Sequence, residues 1–184
     1  MRARLSAAAY EVIAERGHSA FRTAAVAARA GVSEGALLHH FPTKEDVTLA
    51  AIEQALSLAS AASHKRLARV NPPAGNVLKA MLADFRAFFF GDRFWAALGI
   101  TMDATKNPDM GPRIRNVVNA ARSPIYSAWA GKLVACGWSE ARAAEAVAMT
   151  AALSCGFAIR TLWTEEDALG VLAERWLSWV QSQQ

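Results

Sequence analysis

Cysteine is nearly absent from this chain. Its two copies, Cys136 and Cys155, stand in no CxxC or metal-ligand spacing, which excludes a disulfide framework and a cysteine-ligated zinc site. Both are expected to be buried, reduced thiols. Histidine is sparse too, at positions 18, 39, 40 and 64. No HExxH, GxSxG or GxxxxGK[ST] pattern occurs, so the common signatures of zinc proteases, nucleophile elbows and phosphate loops are missing. No catalytic residue, metal ligand or cofactor is assigned, and the chain reads as something other than an enzyme. Strand-type alternation of β-branched residues is missing as well. Prolines stand at 42, 72, 73, 108, 112 and 124, which reads as punctuation between helices. The longest apolar stretch, Ala146 to Ile159, contains Thr150 and Ser154 and is too short to span a bilayer. It is predicted to be a fully buried helix. Near the start, Arg2 and Arg4 precede an alanine-rich run, but Glu11 and Glu15 interrupt it before the apolar core of a signal peptide can form. The expectation is a cytoplasmic protein with no membrane partner.

What is present is alanine and helical periodicity. Of 184 residues 53% are hydrophobic, enough for one or two compact units with a true core. The net charge is +4 and the isoelectric point about 9.4. That mild excess of base is compatible with phosphate contact and does not establish it.

The densest local signal lies between Ala27 and Phe41. Ala27, Ala30, Val32 and Leu37 are spaced to pack two short helices at a steep angle. Gly31 stands where the first helix must stop and the chain must turn, a place that needs a residue tolerating positive φ. Ser33 is the expected N-cap of the second helix. This is helix-turn-helix grammar, whose second helix suits a DNA major groove. An amphipathic helix over Ala3 to Arg16 precedes it, with Leu5, Ala9, Val12 and Ile13 on one face and Gly17 at its end. After it, Pro42 ends the reading helix, and Thr43 with Asp46 forms a near capping box for the next one.

The ordered set Ala14-Glu-Arg-Gly-His18, Val26-Ala27, Ala30-Gly-Val-Ser-Glu-Gly-Ala-Leu37 and His40-Phe-Pro-Thr-Lys-Glu45 resembles the DNA-binding domain of the TetR family of transcriptional regulators. The resemblance covers roughly the first 50 residues. It implies an all-α homodimer with an N-terminal three-helix DNA-binding domain over 1–48 and a C-terminal helical effector-binding and dimerisation domain over 49–184. It places Ser33 to His40 in the groove. Ser33, Glu34 and Ala36 then face base edges, with His39 a turn later. Glu34 either accepts from a cytosine amino group or stays solvated and repels phosphate, and Ala36 offers a methyl contact to thymine. Gly35 permits close approach of backbone to DNA. His39 and His40 can donate to phosphate or guanine, His40 alternatively being structural against Phe41. Lys44 joins a cation to a helix N-terminus, a phosphate clamp. Two positions depart from the family pattern. Leu38 replaces a tyrosine that reaches DNA, and Arg22 replaces a Ser or Thr cap, so Thr23 is expected to cap while Arg22 reaches a phosphate. Two reading helices about 34–36 Å apart would meet a two-fold operator.

Periodicity extends the helices onward. They are expected from about Lys44 to Arg69, Asn76 to Phe90, Arg93 to Thr105 with Asp92 as cap, and Arg113 to Ala135 bent at Pro124. Two more should run from Glu140 to Leu162 capped by Ser139, and from Ala168 to Ser182 capped by Thr164-Glu-Glu-Asp167. The last two are apolar on more than one face, so they need cover on both sides. A second subunit supplies that cover in a four-helix bundle, with Ala148, Ala152, Trp176 and Trp179 at the interface. Large aromatics and methionines crowd the middle helices. Most must be core, but Phe85, Phe88, Trp95, Met102, Asn119, Tyr126 and Trp129 are candidates to line a site for an apolar or aromatic small molecule. The resemblance further implies that such an effector shifts helix four between two settings, normally relieving repression. The alternative is a dimeric helical interaction protein without an effector or with a degenerate DNA reader.

Overall fold

A computed structural model describes residues 1–164 and 167–182, and the side chains of all of these except 167–169. Among the described residues the chain is all-α, with no strand. The helices are α1 (Arg2–Arg16), α2 (Thr23–Arg29), α3 (Glu34–His40), α4 (Lys44–Leu67), α5 (Ala74–Phe89), α6 (Asp92–Ala104), α7 (Met110–Val134), α8 (Glu140–Arg160) and α9 (Asp167–Ser182). Most termini fall within two residues of expectation, because caps and breakers act locally. Gly17 and Gly31 adopt φ values of 78° and 63°, the left-handed region where a side chain is strained. The Ser33 hydroxyl accepts from the Ala36 N–H at 3.2 Å. Thr43 and Asp46 close a full reciprocal box. The Thr43 N–H donates to Asp46 at 3.1 Å and the Asp46 N–H to Thr43 Oγ1 at 3.1 Å. The expected cap of α9 by Thr164 to Asp167 lies outside the described residues.

Two starts differ from expectation. α5 begins at Ala74, two residues early, because Pro73 serves as its N-cap in an extended conformation. α7 begins at Met110 and carries Pro112 in its first turn, where the missing N–H costs nothing. α7 also continues across Pro124. Beside that proline the Ser60 hydroxyl donates to the Ala121 carbonyl at 3.0 Å.

The chain divides into two compact units. One comprises 1–60 with 92–122, the other 61–91 with 123–184. This division differs from boundaries at 48 and 49: α6 and the first half of α7 cluster with the N-terminal helices. In the first unit Leu5, Ile13, Phe21, Val26, Leu37 and Phe41 are almost wholly buried. Each such side chain contributes about 1.5–3 kcal/mol of transfer free energy. That burial sustains α3, whose 7 residues are too few to persist alone.

In the second unit α5 packs against α8 and α9. Its apolar face buries Val77, Leu78, Met81, Phe85 and Phe89. Among them Asp84 is fully buried. It accepts from the Ser63 hydroxyl at 2.9 Å, from Arg66 Nη1 at 2.9 Å and from Trp129 Nε1 at 3.0 Å. α4, α5 and α7 thus meet on one carboxylate. α8 is not the fully buried helix expected. Ala143, Ala146, Val147, Thr150, Ala151 and Ala158 are covered, whereas Ala144, Ala148, Met149, Ala152 and Gly156 are exposed. At 21 residues it is also long and apolar enough to cross a membrane by length and composition, contrary to expectation. Within this fold it is one wall of a core instead. Both cysteines are free and half-buried rather than buried, and burial pushes the Cys155 thiol up.

Candidate nucleic-acid interface

The reading helix α3 is set by α2, which packs on both α1 and α3. Leu37 points into the core while Ser33, Glu34, Gly35, Leu38 and His39 are exposed and Ala36 is half-buried. These are the positions expected to face bases. A Cβ built on Gly35 would meet nothing within 4 Å. The chain itself therefore makes no demand for glycine there, and the opening is free for a close approach. Leu38 is 40% exposed, an apolar side chain on the outer face. The His39 and His40 rings meet edge-on, centroids 5.4 Å apart. The His40 carbonyl accepts from Arg2 at 3.4 Å, and the Arg2 guanidinium sits 4.6 Å over the Phe41 ring.

Thr23 does not cap α2, contrary to expectation. Arg22 is the N-cap residue, in extended conformation and without a side-chain cap bond. The Thr23 hydroxyl is engaged elsewhere, donating to Glu34 Oε1. Arg22 turns onto the Phe21 carbonyl at 3.2 Å and remains exposed. Lys44 stands at the first position of α4, its Nζ 4.6 Å over the Phe21 ring. A cation–π contact of this sort orients the amine without neutralising it.

Behind Lys44 lies a polar cluster that sequence reasoning missed. The Thr48 hydroxyl donates to the Lys44 carbonyl at 2.9 Å, so toward His18 Nε2, 3.1 Å away, it accepts. Burial, then the nearby charge of Lys44, pushes the His18 imidazolium below its ordinary pKa. The neighbouring loop joins α6 through Ser19, which donates to Asp103 at 3.1 Å. The Lys106 ammonium and Ser19 hydroxyl hold the Asp103 carboxyl low. Arg113 of α7 pairs with Asp46. Burial pushes the Asp46 carboxyl up, but bonds from Thr43 and Arg113 outweigh it and leave it below the ordinary range. On the outer side Arg29 binds Glu15 at 2.6 Å and Glu11 at 3.1 Å, which fastens α2 to α1.

The residues singled out for an effector fall into two sets. Phe85, Phe88, Tyr126 and Trp129 belong to the second unit. The Phe85 and Tyr126 rings lie 5.5 Å apart, and Trp129 is committed to Asp84. Trp95, Met102 and Asn119 belong to the first unit. There Met102 is 66% exposed and Asn119 is exposed, with Trp95 half-buried. Asp84 was not anticipated. An acidic residue inside an otherwise apolar face, Met81-Leu-Ala-Asp-Phe85, was the available signal.

The outer faces of α8 and α9 set large apolar side chains among exposed charged ones, Arg142 and Glu145 on α8 and Glu174 and Arg175 on α9. Trp176 and Trp179 stack at 5.1 Å, and Trp176 Nε1 donates to the Thr150 hydroxyl at 3.0 Å. Met149, Val171, Leu172 and Trp179 are 41–55% exposed. A cleft of about 210 Å³ opens on this face, lined by Trp138, Met149, Trp176 and Trp179 together with the charged Arg142 and Glu145.

An all-helical chain with a capped, exposed reading helix behind a tight turn is a helix-turn-helix regulator in architecture. Comparison with known proteins makes the class specific. Residues 5–51 match the model for bacterial regulatory proteins of the tetR family. Over 163 residues the chain is 35% identical to the HTH-type transcriptional regulator CymR of Pseudomonas putida, covering 89% of this chain and 80% of CymR. Among solved structures, FadR of Bacillus subtilis in complex with stearoyl-CoA matches with a TM-score of 0.62 and 16% identity, over 96% of both chains. A transcriptional regulator from Rhodococcus sp. Rha1 matches with a TM-score of 0.60 and 23% identity, over 100% of this chain and 97% of that one. These two likenesses speak to the fold.

The chain belongs to the TetR family. It is accordingly a DNA-binding transcriptional regulator and not an enzyme, and the alternative of a helical interaction protein with a degenerate reader is not favoured. Dimerisation and small-molecule ligands are typical of that family.

Proposed function

We propose that this protein represses transcription by binding a two-fold operator as a homodimer and leaves it when a small apolar or aromatic molecule binds the helical body. The observation that carries the reading is the exposed outer face of α3, held by the Ser33 cap and by Leu37 beneath it. Residues 1–48 form the DNA-binding domain in this reading and 49–184 the effector-binding and dimerisation domain. Ser33, Glu34, Gly35, Ala36, Leu38 and His39 meet the groove. Arg22, Thr23, His40 and Lys44 flank it on the phosphate side.

The dimer forms through α8 and α9. Exposed Ala148 and Ala152 recur at one-turn spacing on α8, and α9 carries Trp176 and Trp179, giving small residues for close helix approach and aromatics for buried area. Two solved structures of similar fold are complexes with small molecules, FadR with stearoyl-CoA and RolR with resorcinol. That supports an apolar or aromatic effector here. Tyr126 and Phe85, whose rings meet edge-on, are the aromatics assigned to its site in this reading. Binding regulates by population shift: an effector that prefers one setting of the helices weakens operator binding by its differential affinity and no more. Such a protein works in the cytoplasm, where operator DNA is.

The test is a mobility shift of the purified protein on duplex DNA from its own upstream region at rising salt. A discrete complex surviving moderate salt supports the reading. Binding equal on any duplex, or none, overturns it.

A further inference from the structure

We propose that Glu34 is the base-discriminating residue of the reading helix and that it selects a cytosine in each half-site, oriented by Thr23. This rests on the DNA-reading role proposed above. α3 begins at Glu34, directly after its Ser33 cap, and first-turn side chains of such helices face base edges. Glu34 is exposed, yet it does not hang free, because its Oε1 accepts the Thr23 hydroxyl. Arg29, Lys106 and Arg113 pair with Glu11 and Glu15, Asp103 and Asp46. Among the described residues no ion pair joins Glu34 to a base. Its charge is therefore directed by a neutral hydroxyl and stays whole, and Oε2 keeps its lone pairs for a further donor.

A carboxylate brought among phosphates is unfavourable unless a donor meets it. In the major groove the donors on bases are the amino groups of cytosine and adenine. The adenine amino group stands beside N7, an acceptor that repels a carboxylate. Guanine shows two acceptors, and thymine an acceptor and a methyl group. Cytosine alone offers an amino group with no acceptor next to it on the same base. Glu34 thus works by exclusion as much as by attraction: the other three bases leave its charge unmet.

The bland role for Glu34 is support of the α3 N-terminus, where an acid is favoured. That role affects folding and leaves base preference untouched, so sequence selection separates the two. Full-length wild type, Glu34→Gln and Thr23→Val are each used to select from a duplex pool of randomised sequence, and the thermal unfolding of each is measured alongside. The wild type is expected to require cytosine at one position per half-site and to lose about 5- to 150-fold in affinity when that base pair is changed. Glu34→Gln should transfer the preference to adenine, which a carboxamide matches through both its N6 and N7. Thr23→Val should keep the cytosine preference but weaken it several-fold. An unchanged base preference in Glu34→Gln overturns the proposal, as does a uniform gain in affinity for all sequences, which would mean simple phosphate repulsion. Wild-type protein that selects no sequence overturns the DNA-reading role along with it.

Discussion

Replacing Asp84 by alanine should destabilise the second unit severely, and the structure sets the size. The carboxylate is fully buried and takes three donors: Ser63, Arg66 and Trp129. Arg66 has a side chain 41% exposed and can turn to water. Ser63 and Trp129 cannot, being 1% and 0% exposed. Asp84→Ala therefore strands two buried donors at about 1–3 kcal/mol each and leaves a small void. The total is about 3–5 kcal/mol, the range seen when a buried pair is broken by removing one partner. For a chain of this size that corresponds to a fall in Tm of roughly 6–20 °C. Urea titration followed by far-UV circular dichroism measures it. Trp129→Phe should cost less, about 1.5–3 kcal/mol for the lost bond to a charged acceptor. The two changes should be strongly non-additive because they share one hydrogen bond. A loss below about 1 kcal/mol in Asp84→Ala, or simple additivity with Trp129→Phe, would refute the view that this carboxylate ties the three helices together.

Three further outcomes are expected. Lys44→Ala should weaken binding to all duplex sequences alike and reduce the slope of log K against log salt by about one. An unchanged slope removes Lys44 from the phosphate contacts. His18 has its pKa depressed by burial and by Lys44, so on acidification the unfolded chain takes up the proton first. Its contribution to stability is therefore present above the ordinary histidine pKa of about 6.5 and is lost as the pH falls below it toward the folded value. His18→Gln should flatten the stability–pH curve in that window, and an identical curve for variant and wild type would dismiss the argument. Trp179→Asp should convert the proposed dimer to single chains in sedimentation equilibrium, since it places a charge where the half-exposed Trp179 ring offers apolar area to a partner; a mass still equal to two chains would move the interface elsewhere.

How much was legible beforehand follows the range of each interaction. Gly31, the Ser33 cap and the Thr43–Asp46 box join atoms no more than three or four residues apart, and all were readable from residue type and spacing. The same holds for the core face of α1, where 3.6-residue periodicity marks Leu5, Ala9, Val12 and Ile13. Thr23 was misassigned because cap chemistry alone favours it. The hydroxyl finds Glu34 only once α2 and α3 cross, 11 positions on. α8 was misread as fully buried because apolar residues around a helix say that it is covered but not by which chain.

By itself, then, the order of residues determined most of the local grammar of the helices, the helix-turn-helix reader and the family it belongs to. Those depend on backbone hydrogen bonds, caps and side-chain period, all of which act within a turn or two. Only the tertiary structure decided that Asp84 would gather Ser63, Arg66 and Trp129, that His18 would lean on Thr48 behind Lys44, and that Glu34 would be held by a threonine rather than a cation. Such pairings depend on where distant segments come to rest, and a carboxylate or imidazole carries no mark in the chain of the partner that will desolvate it.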